Sequence, residues 1–143
     1  MAWQRKDQAQ DVTIRHFTIT GPWVEPGCTN PPIAHTGVRV IGGGSALIEH
    51  NHITRIRDLL PLGALSGCQN GIAVSAGRVL PPDGPTFGSA TVVHNLIDKY
   101  QKGGVLVDGA GSSGEIAYNE IIGEGPTPFN AQNGVQLSRE AHA

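Results

Sequence analysis

The strongest constraint on what this chain can fold into is a short segment that recurs four times with one grammar: DVTIRHFTIT at 11–20, SALIEHNHIT at 45–54, ATVVHNLID at 90–98 and GEIAYNEII at 114–122. Aligned, the copies put apolar residues in register at Ile14, Ile48, Val92 and Ile116, and again at Ile19, Ile53, Ile97 and Ile121. Between these columns stand Phe17, Asn51, Asn95 and Asn119. A second segment interleaves with the first, each copy opening on glycine: GVRV at 37–40, GIAV at 71–74, GVLV at 104–107 and GVQL at 134–137. An order that never changes along the chain implies one structural unit stacked on copies of itself.

Composition says what the unit is made of. Of 143 residues, 20 are Gly, 10 are Pro and only 15% are charged, which favours turns over helices in a single domain. Period-2 alternation in VRV, IAV, VLV and TVV marks strands. The fold class is therefore all-β. An antiparallel sandwich is the competing arrangement, since Asn70-Gly71 and Asn133-Gly134 look like hairpin turns. Hairpins, however, do not require homologous segments in constant order with matching inward columns, and stacking requires both. A net charge of −2, with scattered Lys and Arg, leaves nucleic-acid binding without support. No apolar run approaches the ~18 residues of a membrane-spanning helix. The polar start MAWQRKDQAQ lacks the apolar stretch of a secretion signal, so the expectation is a cytoplasmic protein or one whose leader is left off.

The pattern of apolar, any, apolar, two residues, Asn, any, Ile, loop, then Gly-apolar-any-apolar resembles the right-handed parallel β-helix repeat of pectate-lyase-like proteins. The resemblance covers roughly residues 11–139 and implies a short helix of about four coils with long inserted loops. Residues 1–10 are then a lead-in and 140–143 a tail, and the piece resembles part of a longer β-helix. In this family an inward asparagine ladder marks one sharp bend, a role that falls here to Asn51, Asn95 and Asn119. Asn tolerates a left-handed backbone, and its amide can bond both main chain and the next Asn in the stack. Phe17 breaks the ladder in the first copy, and the expectation is an aromatic covering that end. Uncapped ends expose strand edges and favour a homo-oligomer.

Three insertions interrupt the repeat, at 21–36, 55–70 and 78–88, and their Pro, Trp23 and Phe87 argue for ordered loops on the surface. Cys28 and Cys68 lie in the parallel contexts GCTN and GCQN, where stacked copies would bring them together. The two readings are a disulfide and a pair of thiols.

Relatives of this fold include lyases, epimerases and glycosidases of acidic polysaccharides, with sites on the outer face of the glycine-strand sheet and its flanking loops. The resemblance thus implies a polysaccharide or oligosaccharide partner, a secreted or cell-envelope location and, for a lyase, an Arg or Lys base with carboxylates binding Ca2+. The outward row of that sheet reads Arg39, Ala73, Leu106 and Gln136, followed by Ile41, Ser75, Asp108 and Ser138. Catalytic candidates are Asp108, Arg39, Asp58, Asp98 and Lys99; substrate-binding candidates are Arg55, Lys102, Gln136 and Trp23. His16, His50 and His94 share a column with Tyr118, which reads as a surface stack of rings or, alternatively, as a metal site. The alternative to an enzyme is a non-catalytic carbohydrate-binding or structural β-helix scaffold, since no dense carboxylate cluster is evident.

Overall fold

The computed structural model describes residues 9–24, 35–81, 84–128 and 130–143. The first repeat supplies β1 (Val12–Arg15), β2 (Thr18–Thr20), β3 (Trp23–Val24) and β4 (Thr36–Val40). The second supplies β5 (Ser45–Glu49), β6 (His52–Thr54), β7 (Asp58–Leu59) and β8 (Ile72–Ala76). The third supplies β9 (Ser89–Val93), β10 (Leu96–Asp98) and β11 (Gly103–Asp108), and the fourth β12 (Ser113–Ala117), β13 (Glu120–Ile122) and β14 (Asn133–Ser138).

Equivalent strands of successive repeats lie side by side. They form three four-stranded sheets, ordered β1-β5-β9-β12, β2-β6-β10-β13 and β4-β8-β11-β14, with β3 and β7 as a separate pair. Every pairing between named strands is parallel. The molecule is thus all-β with parallel sheets, an arrangement compatible with a parallel β-helix, and no helix among the described residues is long and apolar enough to cross a membrane.

The predicted columns are real. Ile14 pairs with Ile48, Ile48 with Val92 and Val92 with Ile116, while Ile19, Ile53, Ile97 and Ile121 form the second row. Ile48, Ile53, Val92 and Ile97 are wholly buried, each contributing on the order of 1.5–3 kcal/mol of apolar transfer energy. Between the two rows the asparagines form a ladder. The Asn51 N–H donates to Asn95 Oδ1 at 3.0 Å and the Asn95 N–H to Asn119 Oδ1 at 2.9 Å. In return, Asn51 Nδ2 donates to Ile14 O, Asn95 Nδ2 to Ile48 O and Asn119 Nδ2 to Val92 O. Main-chain groups left over at a sharp corner are thereby satisfied.

Two expectations need correction here. The left-handed residue at the corner is not the asparagine but the one before it: φ is 60° at His16, 53° at His50, 56° at His94 and 56° at Tyr118. That residue makes the bend and turns its side chain outward, so that the following asparagine can aim inward. Phe17 ends the ladder without covering it: its N–H donates to Asn51 Oδ1, but the residue is 61% exposed.

The glycine-strand column is also shifted by two in the second repeat. Val38 pairs with Val74 and Val74 with Val105, which places Ala73, not Gly71, beside Gly37 and Gly104. Gly71 instead sits in a turn at φ 82°, where a Cβ would lie 2.6 Å from Ile56 O. The outward row consequently reads Arg39, Ser75, Leu106 and Gln136, and Asp108 faces Ser138.

Antiparallel bridges join Leu59 to Leu65 and Arg78 to Thr86. Cys68 is disulfide-bonded, and the other cysteine of the sequence, Cys28, lies outside the described residues. Within the segment read as a tail, His142 forms a parallel bridge with Ser113, adding a contact to the first sheet.

Candidate functional site

The insertions of the first two repeats meet at the corner between the second and third sheets. There β3 pairs with β7, setting Trp23 opposite Asp58, and the Trp23 N–H donates to Arg57 O at 2.9 Å. His35 arrives from the chain just before β4 and is held at both main-chain groups. Its N–H donates to Asn70 Oδ1 at 2.8 Å and its carbonyl accepts from Ile72 N at 3.0 Å.

Three side chains converge as a result. His35 Nδ1 is hydrogen-bonded to Asp58 Oδ1, and the Trp23 ring packs on the imidazole with centroids 5.2 Å apart and planes tilted 36°. The Asp58 side chain is 1% exposed and that of His35 16%. Asp58 is fixed from behind: its N–H donates to Gln101 Oε1 at 2.7 Å, and Gln101 Nε2 donates to Cys68 O at 2.8 Å. The disulfide-bonded loop therefore supports the carboxylate that supports the histidine. Asp58 Oδ2 is buried with no hydrogen-bond partner. A carboxylate in that state is stabilised chiefly by the imidazole beside it, since burial without a partner is costly.

A groove of about 480 Å³ opens on this cluster, walled by Trp23, His35, Thr36, Arg39, Ile56 and Arg57. Among the described residues no carboxylate lines it. Arg57 is braced by Lys99 O and Glu124 Oε1. A larger groove, about 590 Å³, crosses the outer face of the first sheet. Its polar groups are turned to one another, as in Ser113 Oγ to Ser89 Oγ at 2.9 Å and the Ser45 hydroxyl donating to the Asp11 carboxylate at 3.2 Å. The smaller groove, with a held histidine and an aromatic wall, carries the more useful chemistry.

The other expected site residues are placed elsewhere. Asp108 is buried, and its carboxylate is fully engaged by the Val79 N–H, Ser138 Oγ and Arg139 Nη1 at 2.7–2.9 Å. Burial pushes its carboxyl up, but the Val79 hydrogen bond and the Arg139 and Ser138 contacts hold it below its ordinary value. It fastens the 78–88 insertion to the stack. Asp98 pairs through its carboxylate with His52 Nε2 at 3.2 Å. Burial raises its carboxyl as well, and hydrogen bonds from Thr54 and His52 bring it below the usual range. Arg55 and Lys99 both take left-handed backbone at a second corner. Lys102 Nζ donates to Ala131 O in the loop of the next repeat, and Gln136 Oε1 accepts from Asn133 Nδ2 within β14. Of the sequence candidates, the groove unites Trp23, Arg39 and, through His35, Asp58.

His16, His50, His94 and Tyr118 stack face to face at 5.1–5.6 Å. That geometry presents ring faces to one another rather than converging nitrogens. Among the described residues no group of three or more His, Cys, Asp or Glu side chains is placed to hold a metal ion.

His35 is the residue that sequence reasoning missed. It sits outside both repeats, and the available signal was its place directly before a glycine-strand in the insertion that also carries Trp23. No known protein family, no curated protein and no solved structure matches this chain.

Proposed function

We propose that this chain is a short right-handed parallel β-helix of about four coils, of pectate-lyase-like architecture, that binds an extracellular polysaccharide or oligosaccharide in the groove beside Trp23. The observation that carries the reading is the Trp23 ring packed on His35 at the mouth of a groove whose wall also holds Arg39 and Arg57. An exposed indole is a platform for the apolar face of a sugar ring, and guanidinium groups favour an acidic one. The disulfide at Cys68 supports an oxidising, secreted or envelope location.

Affinity electrophoresis or calorimetry against de-esterified pectin, alginate and neutral glycans tests the proposal. The expected result is binding to an acidic glycan that Trp23→Ala weakens about tenfold, about 1.4 kcal/mol. Absence of binding to every glycan by the folded protein would refute it. The second reading, an assembling structural scaffold, draws on the exposed apolar residues at the end of the stack, Val135 and Leu137.

A further inference from the structure

We infer that the chain pairs with a second copy of itself through β14, antiparallel about a twofold axis at Gln136, and that assembly stops at two. The inference deepens the scaffold reading above, on which it rests, and is independent of the glycan reading.

The two limits of the stack differ. β14 pairs with β11 on one side only, so alternate main-chain N–H and C=O groups along it point away from the sheet. Its core-row residues Val135 and Leu137 are exposed, as is Ile122 on the edge strand β13 at the same limit. At the opposite limit the same row is closed, because Val38 and Val40 of β4 are buried. The first sheet is partly finished by the chain itself: His142 bridges to Ser113, and its carbonyl accepts from the Gly114 N–H at 2.9 Å. One adhesive edge remains. A molecule with a single self-complementary patch forms a closed pair and not a chain of copies.

The sequence of that edge fits itself. Edge strands of soluble proteins are ordinarily guarded by charge, proline or a bulge. Here β1, β4 and β12 carry Arg15, Arg39 and Glu115, and β13 carries Glu120. β14, at six residues the longest strand at either limit, reads NGVQLS, without a charge or a proline. With Gln136 opposite the partner's Gln136, Val135 falls opposite the partner's Leu137, and the reciprocal pair repeats the contact on the same core face. Ser138 then meets the partner's Gly134, and Arg139 meets the partner's Asn133, so no like charges oppose. A slip of two residues sets an apolar side chain against Arg139 or Asn133, and a slip of one turns the core row of one copy against the outward row of the other. Residues an even number apart on a strand send their N–H groups to the same side, so the free groups of one β14 meet those of its partner. Both Trp23 grooves, built from the first two repeats, lie away from the contact and stay open.

Sedimentation equilibrium of the intact chain tests the stoichiometry, and a cysteine placed on the axis tests the geometry. The expected result is a monomer–dimer equilibrium with no larger species, its dissociation constant raised about tenfold or more by Leu137→Lys. Gln136→Cys should be joined to its own copy by a short bismaleimide, since opposed residues of an antiparallel pair lie about 4.5–5.5 Å apart. Thr91→Cys, on the outer face of the first sheet, should stay unlinked. Growth beyond two copies, or a dimer in which Gln136→Cys fails to link, would overturn the twofold pair and leave the scaffold reading standing. A monomer at every concentration removes both. Should Leu137→Lys fail to fold by circular dichroism, the cross-linking of Gln136→Cys against Thr91→Cys decides alone.

Discussion

The residue before each ladder asparagine shows how one position can serve backbone and side chain at once. At His50 the backbone is left-handed, φ 53°, while the ring stacks on His16 and His94. Valine cannot enter this region without a steric penalty of about 1–2 kcal/mol, which asparagine or glycine largely avoids. His50→Val should therefore lower the free energy of urea unfolding by that amount, and His50→Asn should leave it nearly unchanged. Asn95 is a different case, because its amide is shared. Asn95→Ala removes the acceptor for the Asn51 N–H and the donor to Ile48 O, both buried, and should cost about 3 kcal/mol. Asp108 adds a pH dependence. Its carboxyl is held below its ordinary value near 3.8, so its contribution is fully present above that pH and is lost as the pH falls through the lower, folded value. The urea midpoint should drop as pH is lowered from 5 toward 2, and Asp108→Asn should be less stable at pH 6 but show a shallower acid slope.

At the scale of the strand, what was readable in the sequence was whatever the repeat makes periodic. The inward columns from Ile14 to Ile116 and from Ile19 to Ile121 follow from alternation alone. The placement of β8 did not, because GIAV at 71–74 offers a glycine two residues ahead of the one position where the stack needs a small side chain. Ala73 occupies that position, fully buried, and only the three-dimensional neighbourhood distinguishes it from Gly71. The same column tests how narrow the tolerance is. At Gly104 a Cβ would lie 2.6 Å from Gly134 O and 2.6 Å from the Ile121 side chain. Gly104→Ala is expected to destabilise by about 1–3 kcal/mol through overpacking, although alanine is native one strand away. Thermal unfolding of the two-strand comparison, Gly104→Ala against Ala73→Gly, gives the measurement. The candidate site was legible only in part for a related reason. Trp23 and Asp58 stood out by residue type, whereas their meeting with His35 depends on how two non-repeating loops fold across each other.

For the whole molecule, three sheets that add one strand per repeat leave strands β1, β2 and β4 at one limit and β12, β13 and β14 at the other. Core-row residues surface there: Val135 is 44% and Leu137 45% exposed, against 2% and 1% for Val105 and Val107 one strand inward. Self-association through these rows should make the sedimentation coefficient rise with concentration, and Val135→Lys should suppress the rise. A constant monomer over the whole range would contradict this. The ladder adds a direction to that expectation. Each amide in it points the same way, main-chain N–H of one repeat to side-chain oxygen of the next, from Phe17 through Asn119. At one limit the Phe17 N–H is already spent on Asn51 Oδ1 and its side chain carries no acceptor; at the other the Asn119 N–H meets no further ladder oxygen among the described residues. The row can therefore be lengthened at the Asn119 tip by a residue that brings an amide oxygen, and not at the Phe17 tip, which gives the stack one extendable end and one terminated end.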